Sequence, residues 1–193
     1  MNQHMLKKLL TDLQNGKASV AGVMERLRTL PYEDLGFASV DHHRSLRQGF
    51  PEVIFCEGKT RAQVVAIARG LLRTGTTLLA TRVEPEVARA LLKLDRRAVF
   101  HELARLVIIQ KRHPEPKGDI LVVTAGTADI PVAEETRLTA EVMGSRVETL
   151  YDVGVAGIHR ILGRHSRLLK ARVLVVVAGM DGVLPSVIGG LVD

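Results

Sequence analysis

Three short segments carry side chains able to act on a small molecule, and each follows a strand-like run. The first reads Thr124-Ala125-Gly126-Thr127-Ala128-Asp129-Ile130-Pro131. Its glycine permits a sharp turn, and its proline presets the first turn of a helix. Free N–H groups at such a helix start favour a phosphate, while Asp129 suits a ribose hydroxyl or an ordinary helix cap. The second segment runs from Asp152 through Gly154 and Gly157 to His159 and Arg160. His159 there opens a helix, a place for a proton shuttle near neutral pH or for a neutral structural histidine. The third is Ala178-Gly179-Met180-Asp181-Gly182-Val183-Leu184-Pro185. Asp181, set among glycines, suits a metal ligand, a base or a plain turn residue. In an open α/β sheet, ligands bind at the carboxyl ends of the strands, so three such turns on one edge say more than any one of them.

Other motifs fail on spacing. Gly58-Lys59-Thr60 lacks a phosphate loop's leading glycine, because Val53 holds that position. His101-Glu102 has Arg105 where a second zinc-binding histidine belongs, and His159 and His165 stand six apart, off a shared helical face. No nucleophile-elbow pattern occurs. The chain holds one cysteine, Cys56, which excludes an internal disulfide framework and a multi-cysteine zinc site. At the end of an apolar run it reads as a small buried hydrophobe.

The elements that must position these residues follow from periodicity. Residues 5–13 and 19–30 have helical spacing, broken at Asn15-Gly16, and Pro31 ends the second helix. Residues 35–50 lack clean periodicity and read as loop with a short strand. Strands are expected over 51–56, 76–81 and 104–109, and helices over 61–73 and 85–94. The polar segment 111–118, with two prolines, is the linker candidate. Beyond it, strands at 119–124, 146–151 and 173–178 alternate with helices at 132–143 and 158–169 and another from about 184, the doubly wound βαβαβα order. The unbroken run Val-Leu-Val-Val-Val-Ala at 173–178 reads as a strand buried on both faces of a parallel sheet. The expected fold is thus α/β, with a basic α/β domain over 1–117 and a parallel-sheet domain over 118–193. The chain stops as its last helix forms, and a three-stranded parallel sheet leaves edges uncovered, so the natural protein is expected to continue past Asp193.

Charge divides along the same line. Residues 1–117 hold 20 basic and 12 acidic residues, whereas 118–193 hold 7 basic and 9 acidic. A basic half calls for an anionic partner or is simply a solvated surface. Aromatics are 3% with no tryptophan, which disfavours single-strand nucleic-acid readers. No apolar run approaches the roughly 18 residues of a membrane span, and no secretory h-region opens the chain, so a cytoplasmic protein is expected.

The stretches DHHRSLRQGFPEVIFCEGKT, GTADIPVAEE, GVAGIHR and VVVAGMDGVLPSVIGGLVD resemble the LarB family of nickel-pincer-cofactor biosynthesis proteins over nearly the whole chain. The second half is similar to the aminoimidazole ribonucleotide carboxylase (PurE) domain, a flavodoxin-like fold. There a GSxSD turn binds phosphate and ribose, and SAHR supplies a histidine for proton transfer. Gly126, Thr127 and Asp129 match the first motif, and His159-Arg160 the second, with Gly157-Ile158 in place of Ser-Ala. The resemblance implies carboxylation of the pyridinium ring of nicotinic acid adenine dinucleotide with carbon dioxide or bicarbonate, then phosphoanhydride hydrolysis to AMP and a pyridinium biscarboxylate mononucleotide. That product serves the cofactor of lactate racemase. An electron-poor pyridinium cannot attack carbon dioxide, but a thiolate added to the ring makes the neighbouring carbon nucleophilic. The resemblance further implies magnesium at the phosphoanhydride step, no organic cofactor and a homo-oligomer. It implies substrate contacts from the basic residues Arg44, Arg47 and Lys59, and roles in catalysis for His159 and Asp181. It implies no nucleic-acid or membrane partner.

Two departures stand out. No residue here matches the family's nucleophilic cysteine, which lies in a glycine-rich C-terminal motif, and Cys56 lies in a different stretch. Asp181 replaces the family's usual Glu, shortening the carboxylate's reach by about 1.5 Å. The other readings are a purine-pathway carboxylase or mutase and a nucleotide-binding module without catalysis. A nucleic-acid binder ranks last.

Overall fold

A computed structural model describes residues 3–27, 32–111 and 113–192; the expected helix stop at Pro31 lies outside them. The fold is α/β, and the chain divides into two compact units. One comprises Met1–Glu102 and Leu106–Arg112, the other Leu103–Arg105 and His113–Asp193.

The first unit begins with helices α1 (Gln3–Gln14) and α2 (Val20–Leu27). The stretch expected to be mostly loop is better ordered than its periodicity suggested. Strands β1 (Glu33–Asp34) and β2 (Ser39–Val40) pair antiparallel, and a short helix α3 (Arg44–Gln48) ends at Gly49, whose φ of 77° favours glycine. Such short pieces have too few residues to show a period. Strand β3 (Val53–Phe55), helix α4 (Arg61–Arg73), strand β4 (Leu78–Thr81) and helix α5 (Pro85–Leu92) follow. Helix α4 starts where expected because Thr60 and Gln63 form a capping box: Gln63 N–H donates to Thr60 Oγ1 at 3.3 Å, and Thr60 N–H to Gln63 Oε1 at 2.9 Å.

The strand expected over 104–109 is shorter, β6 (Leu106–Ile109), and it is the second arm of a hairpin whose first arm, β5 (Ala98–His101), sequence reasoning missed. The sheet order is β3-β4-β6-β5, with β3 and β4 parallel and the other pairs antiparallel. Val64, Ile67 and Leu71 of α4 pack on Leu78, Ala80, Val107 and Ile109 to form its core.

The second unit contains β7 (Lys117–Thr124), α6 (Ile130–Val142), β8 (Ser145–Leu150), α7 (Ile158–Leu162), α8 (His165–Lys170), β9 (Val173–Val177) and α9 (Val183–Gly189). Lys117 and Gly118, assigned to the linker, instead begin β7, and a register shift between Lys117 and Ile120 accompanies Gly118 at φ 72°. The single helix expected over 158–169 is two helices. They part at Gly163, where a Cβ would lie 3.2 Å from the His159 carbonyl.

All three strands run parallel in the order β8-β7-β9. Central β7 is buried from Leu121 to Thr124. Leu121 and Val123 join Ile161, Leu168, Leu184 and Ile188 in one core, while Val122, one residue off, faces the other side of the sheet, as strand alternation requires. The expectation that 173–178 is buried on both faces fails: β9 is half-buried and Val173 is exposed. The strand is apolar enough for a sheet centre, but it pairs only with β7 and forms an edge among the described residues.

Candidate functional site

Parallel strands deliver the turns after β7, β8 and β9 to one edge of the sheet. Thr124, fully buried at the end of β7, fastens the second turn to the first. Its Oγ1 accepts from Asp152 N–H at 3.0 Å, and its carbonyl accepts from Val153 N–H at 3.0 Å. On the other side, Ala125 N–H donates to the Val177 carbonyl at 3.0 Å. Gly154 then passes so close that a Cβ there would lie 2.6 Å from the Ala125 carbonyl oxygen. Its φ of −60° is open to any residue, so it is space rather than conformation that requires glycine.

Asp129 joins the first turn to the third. Its Oδ2 accepts from Gly126 N–H at 2.8 Å, and its Oδ1 accepts from Gly179 N–H at 3.1 Å. A Cβ on Gly179 would approach that same Oδ1 to 3.2 Å. The Asp129 side chain therefore does not cap α6, at whose N-cap position it stands; one of its oxygens is bound fifty residues away.

The remaining residues surround this junction. Thr127 is exposed at the start of the first turn. Arg160 folds back over Gly157 and donates from Nη1 to Asp152 Oδ2 at 2.7 Å, and a Cβ at 157 would meet its Nε at 2.7 Å. Glycine in place of serine at 157 is what leaves room for this pose. His159 is exposed and makes no side-chain hydrogen bond to a described residue. Asp181 is exposed, and its Oδ1 accepts from Val183 N–H at 3.3 Å in a turn that leads through Gly182 into α9. Gly126, Thr127, Asp129 and Asp181 therefore lie in the connections at one sheet edge, and His159 and Arg160 in the first turn of α7, which follows one of them.

Sequence reasoning missed the support behind them. Tyr151, at the end of β8, donates its hydroxyl to Glu134 of α6. Arg137 clamps Glu134 with bonds of 2.9 and 2.8 Å and also holds Glu141. Burial and the neighbouring Glu134 carboxylate push the Tyr151 hydroxyl up to about 12. The spacing Glu134, Arg137, Glu141 on one helix was a readable signal.

The other expected contacts belong to the first unit. Arg47 is spent on Asp41, with Nη2 2.6 Å from Oδ2, and Nη1 lies 3.2 Å from His43 Nδ1. Lys59 donates to the Phe55 carbonyl at 2.7 Å and lies over the Phe55 ring. Arg44 is exposed. Nearby, His42 is buried with Nε2 3.1 Å from Glu33 Oε2, and Arg73 pairs with the other Glu33 oxygen. Burial opposes the Glu33 charge, but hydrogen bonds from His42 and Arg73 outweigh it and hold the carboxyl below its usual range. Cys56 is buried, and desolvation pushes its thiol up to about 11, which fits a packing residue.

Among the described residues no three His, Cys, Asp or Glu side chains come together as a metal site. At the sheet edge, Asp129 accepts from two backbone amides and Asp152 from Arg160, while the exposed Asp181 carboxylate accepts only from the Val183 amide among the hydrogen bonds described. No helix among them is long and apolar enough to cross a membrane.

Residues 32–112 match the family model described as the LarB/PurE-like N-terminal domain. An uncharacterized protein of Methanocaldococcus jannaschii, MJ0165, is 36% identical over 199 residues, which span 97% of this chain and 77% of the relative.

Proposed function

The chain belongs to the LarB family, and on that premise we propose that it acts in nickel-pincer-cofactor synthesis, carboxylating the pyridinium ring of nicotinic acid adenine dinucleotide and hydrolysing its phosphoanhydride. The observation that supports this reading best is the joining of the three turns on one sheet edge, with Thr127, His159 and Asp181 left open beside them.

In this reading the first turn and the N-terminal N–H groups of α6 receive a phosphate. Each oxygen of Asp129 has spent one acceptor position on an amide and keeps another for a ribose hydroxyl. His159, unencumbered, takes up the ring proton that the new carboxyl group displaces, after a thiolate other than the buried Cys56 has added to the ring and before that thiolate leaves. Asp181 serves as the base that directs water at the phosphoanhydride, its short side chain aimed by the Val183 amide. Arg160, already paired with Asp152, holds the second turn in shape. Of the three basic residues named as substrate contacts, Arg44 is exposed, whereas Arg47 and Lys59 have internal partners.

A second reading, a nucleotide-binding module without carboxylation, is favoured by Cys56, the chain's one cysteine, which is buried and protonated. One experiment separates the readings. The protein is incubated with nicotinic acid adenine dinucleotide, magnesium and labelled bicarbonate, with binding followed by calorimetry. AMP release with label in the ring supports the carboxylase. Binding alone supports the module. Turnover of aminoimidazole ribonucleotide in its place points to the purine pathway, and absence of binding overturns the proposal.

A further inference from the structure

The structure assigns to Asp129 a positioning role that is separate from any contact with substrate: it is the strut that sets the Asp181 turn relative to the first turn. Its two oxygens accept from Gly126 N–H and Gly179 N–H, at 2.8 and 3.1 Å, and these amides belong to turns that follow different strands. The bond to Gly126 closes a local turn that many sequences form. The bond to Gly179 spans fifty residues and fixes the chain two positions before Asp181.

The fit is tight on both sides. A Cβ at 179 would come within 3.2 Å of Oδ1, so glycine lets the backbone reach the carboxylate. Beyond Asp181, Gly182 adopts φ 66° and α9 anchors Leu184 and Ile188 in the core. The Asp181 turn is therefore held at one end by α9 and at the other by Asp129. An aspartate is suited to this, because it offers two acceptors a short, fixed distance from the backbone and no donor to repel an amide. The consequence for turnover rests on the function proposed for Asp181; the strut itself does not.

The test has a ligand-free arm and a kinetic arm. In the ligand-free protein, Asp129→Ala should speed amide hydrogen exchange at Gly126 and Gly179 about tenfold, the loss of one hydrogen bond each. Asp129→Asn, of the same size and a safeguard if the alanine variant does not fold, keeps one acceptor oxygen and should release at least one of the two. In the kinetic arm, Asp129→Asn should lower kcat by a larger factor than it raises KM for nicotinic acid adenine dinucleotide, and Asp129→Glu should restore part of the loss. Unchanged Gly179 exchange in both the alanine and asparagine variants overturns the strut, whatever the substrate proves to be. A rise in KM alone, with Gly179 exchange unmoved, makes Asp129 only a substrate contact and likewise overturns it. Faster Gly179 exchange in a protein that does not turn over the dinucleotide leaves the strut standing and defeats the functional reading.

Discussion

Replacing Gly154 with alanine should damage the candidate site more than any exposed substitution nearby. The added Cβ would sit 2.6 Å from the Ala125 carbonyl oxygen, whereas an ordinary contact needs more than 3 Å, so the two backbones must part by about 0.5 Å. They cannot part freely, because the bonds from Asp152 and Val153 N–H to Thr124, both 3.0 Å, close the same junction. Overpacking of this kind costs about 1–3 kcal/mol, and a weakened hydrogen bond adds about 0.5–1.5 kcal/mol. Against this, alanine restricts the unfolded chain and returns about 0.4–1 kcal/mol, since φ −60° and ψ 156° suit it. The net is a loss of about 2 kcal/mol, which lowers Tm by about 4–8 °C for a chain of this length. The assay is thermal and urea unfolding of Gly154→Ala beside Gly189→Ala, a helical glycine with nothing within 4 Å of its added Cβ. The control should be neutral or slightly more stable. If Gly154→Ala melts with the unmodified protein, the turns after β7 and β8 do not approach as closely as described.

Three further outcomes are expected. Under the proposed function, Asp181→Asn should cut turnover of the dinucleotide at least a hundredfold with KM little changed, while Asp181→Glu, which keeps the carboxylate, stays active; equal activity of aspartate and asparagine would remove Asp181 from the chemistry. The Tyr151 hydroxyl, raised to about 12 in the folded chain against an ordinary value near 10, favours the folded state below pH 10, and that contribution is lost as pH rises from 10 through 12. Alkaline urea titrations should show this slope and Tyr151→Phe should lack it. Glu33, held below its usual range, contributes stability above its unfolded pKa that disappears as pH falls through the folded value. Acid unfolding of Glu33→Gln should therefore be less steep, and an unchanged acid limb would show that the His42 and Arg73 partnership carries no stability.

The second unit was the more legible in sequence because its elements are long and cleanly bounded. Val132 to Val142 repeats at helical spacing and the short, β-branched valine run of β9 reads as a strand, so the connections between them, with Gly126, Asp129 and Asp181 in them and His159 at the helix start after one, are legible as lying on one edge. The first unit was harder. Strands β1 and β2 have two residues each, and β5 has four and is only partly buried, so none of them shows a period. Burial along β9 is not legible in its composition, which reports what a strand can tolerate, while sheet order decides what covers it. Nothing in spacing could reveal that Asp129 reaches Gly179 or that Arg160 pairs with Asp152, since both follow from how crossover connections bring distant turns together. Likewise, charge alone could not tell that Arg47 and Lys59 have partners at home.

The burial of Cys56 has a practical side. With the chain's single native thiol closed to solvent and nearly all protonated at neutral pH, reagents that need a thiolate will find almost nothing to attack. A cysteine placed at Met180, which is 98% exposed one residue before Asp181, would be the fast-reacting thiol of the whole chain. A single dye could then be attached beside the site without first stripping the background, and its signal would report directly on how the Asp181 turn moves when a ligand arrives.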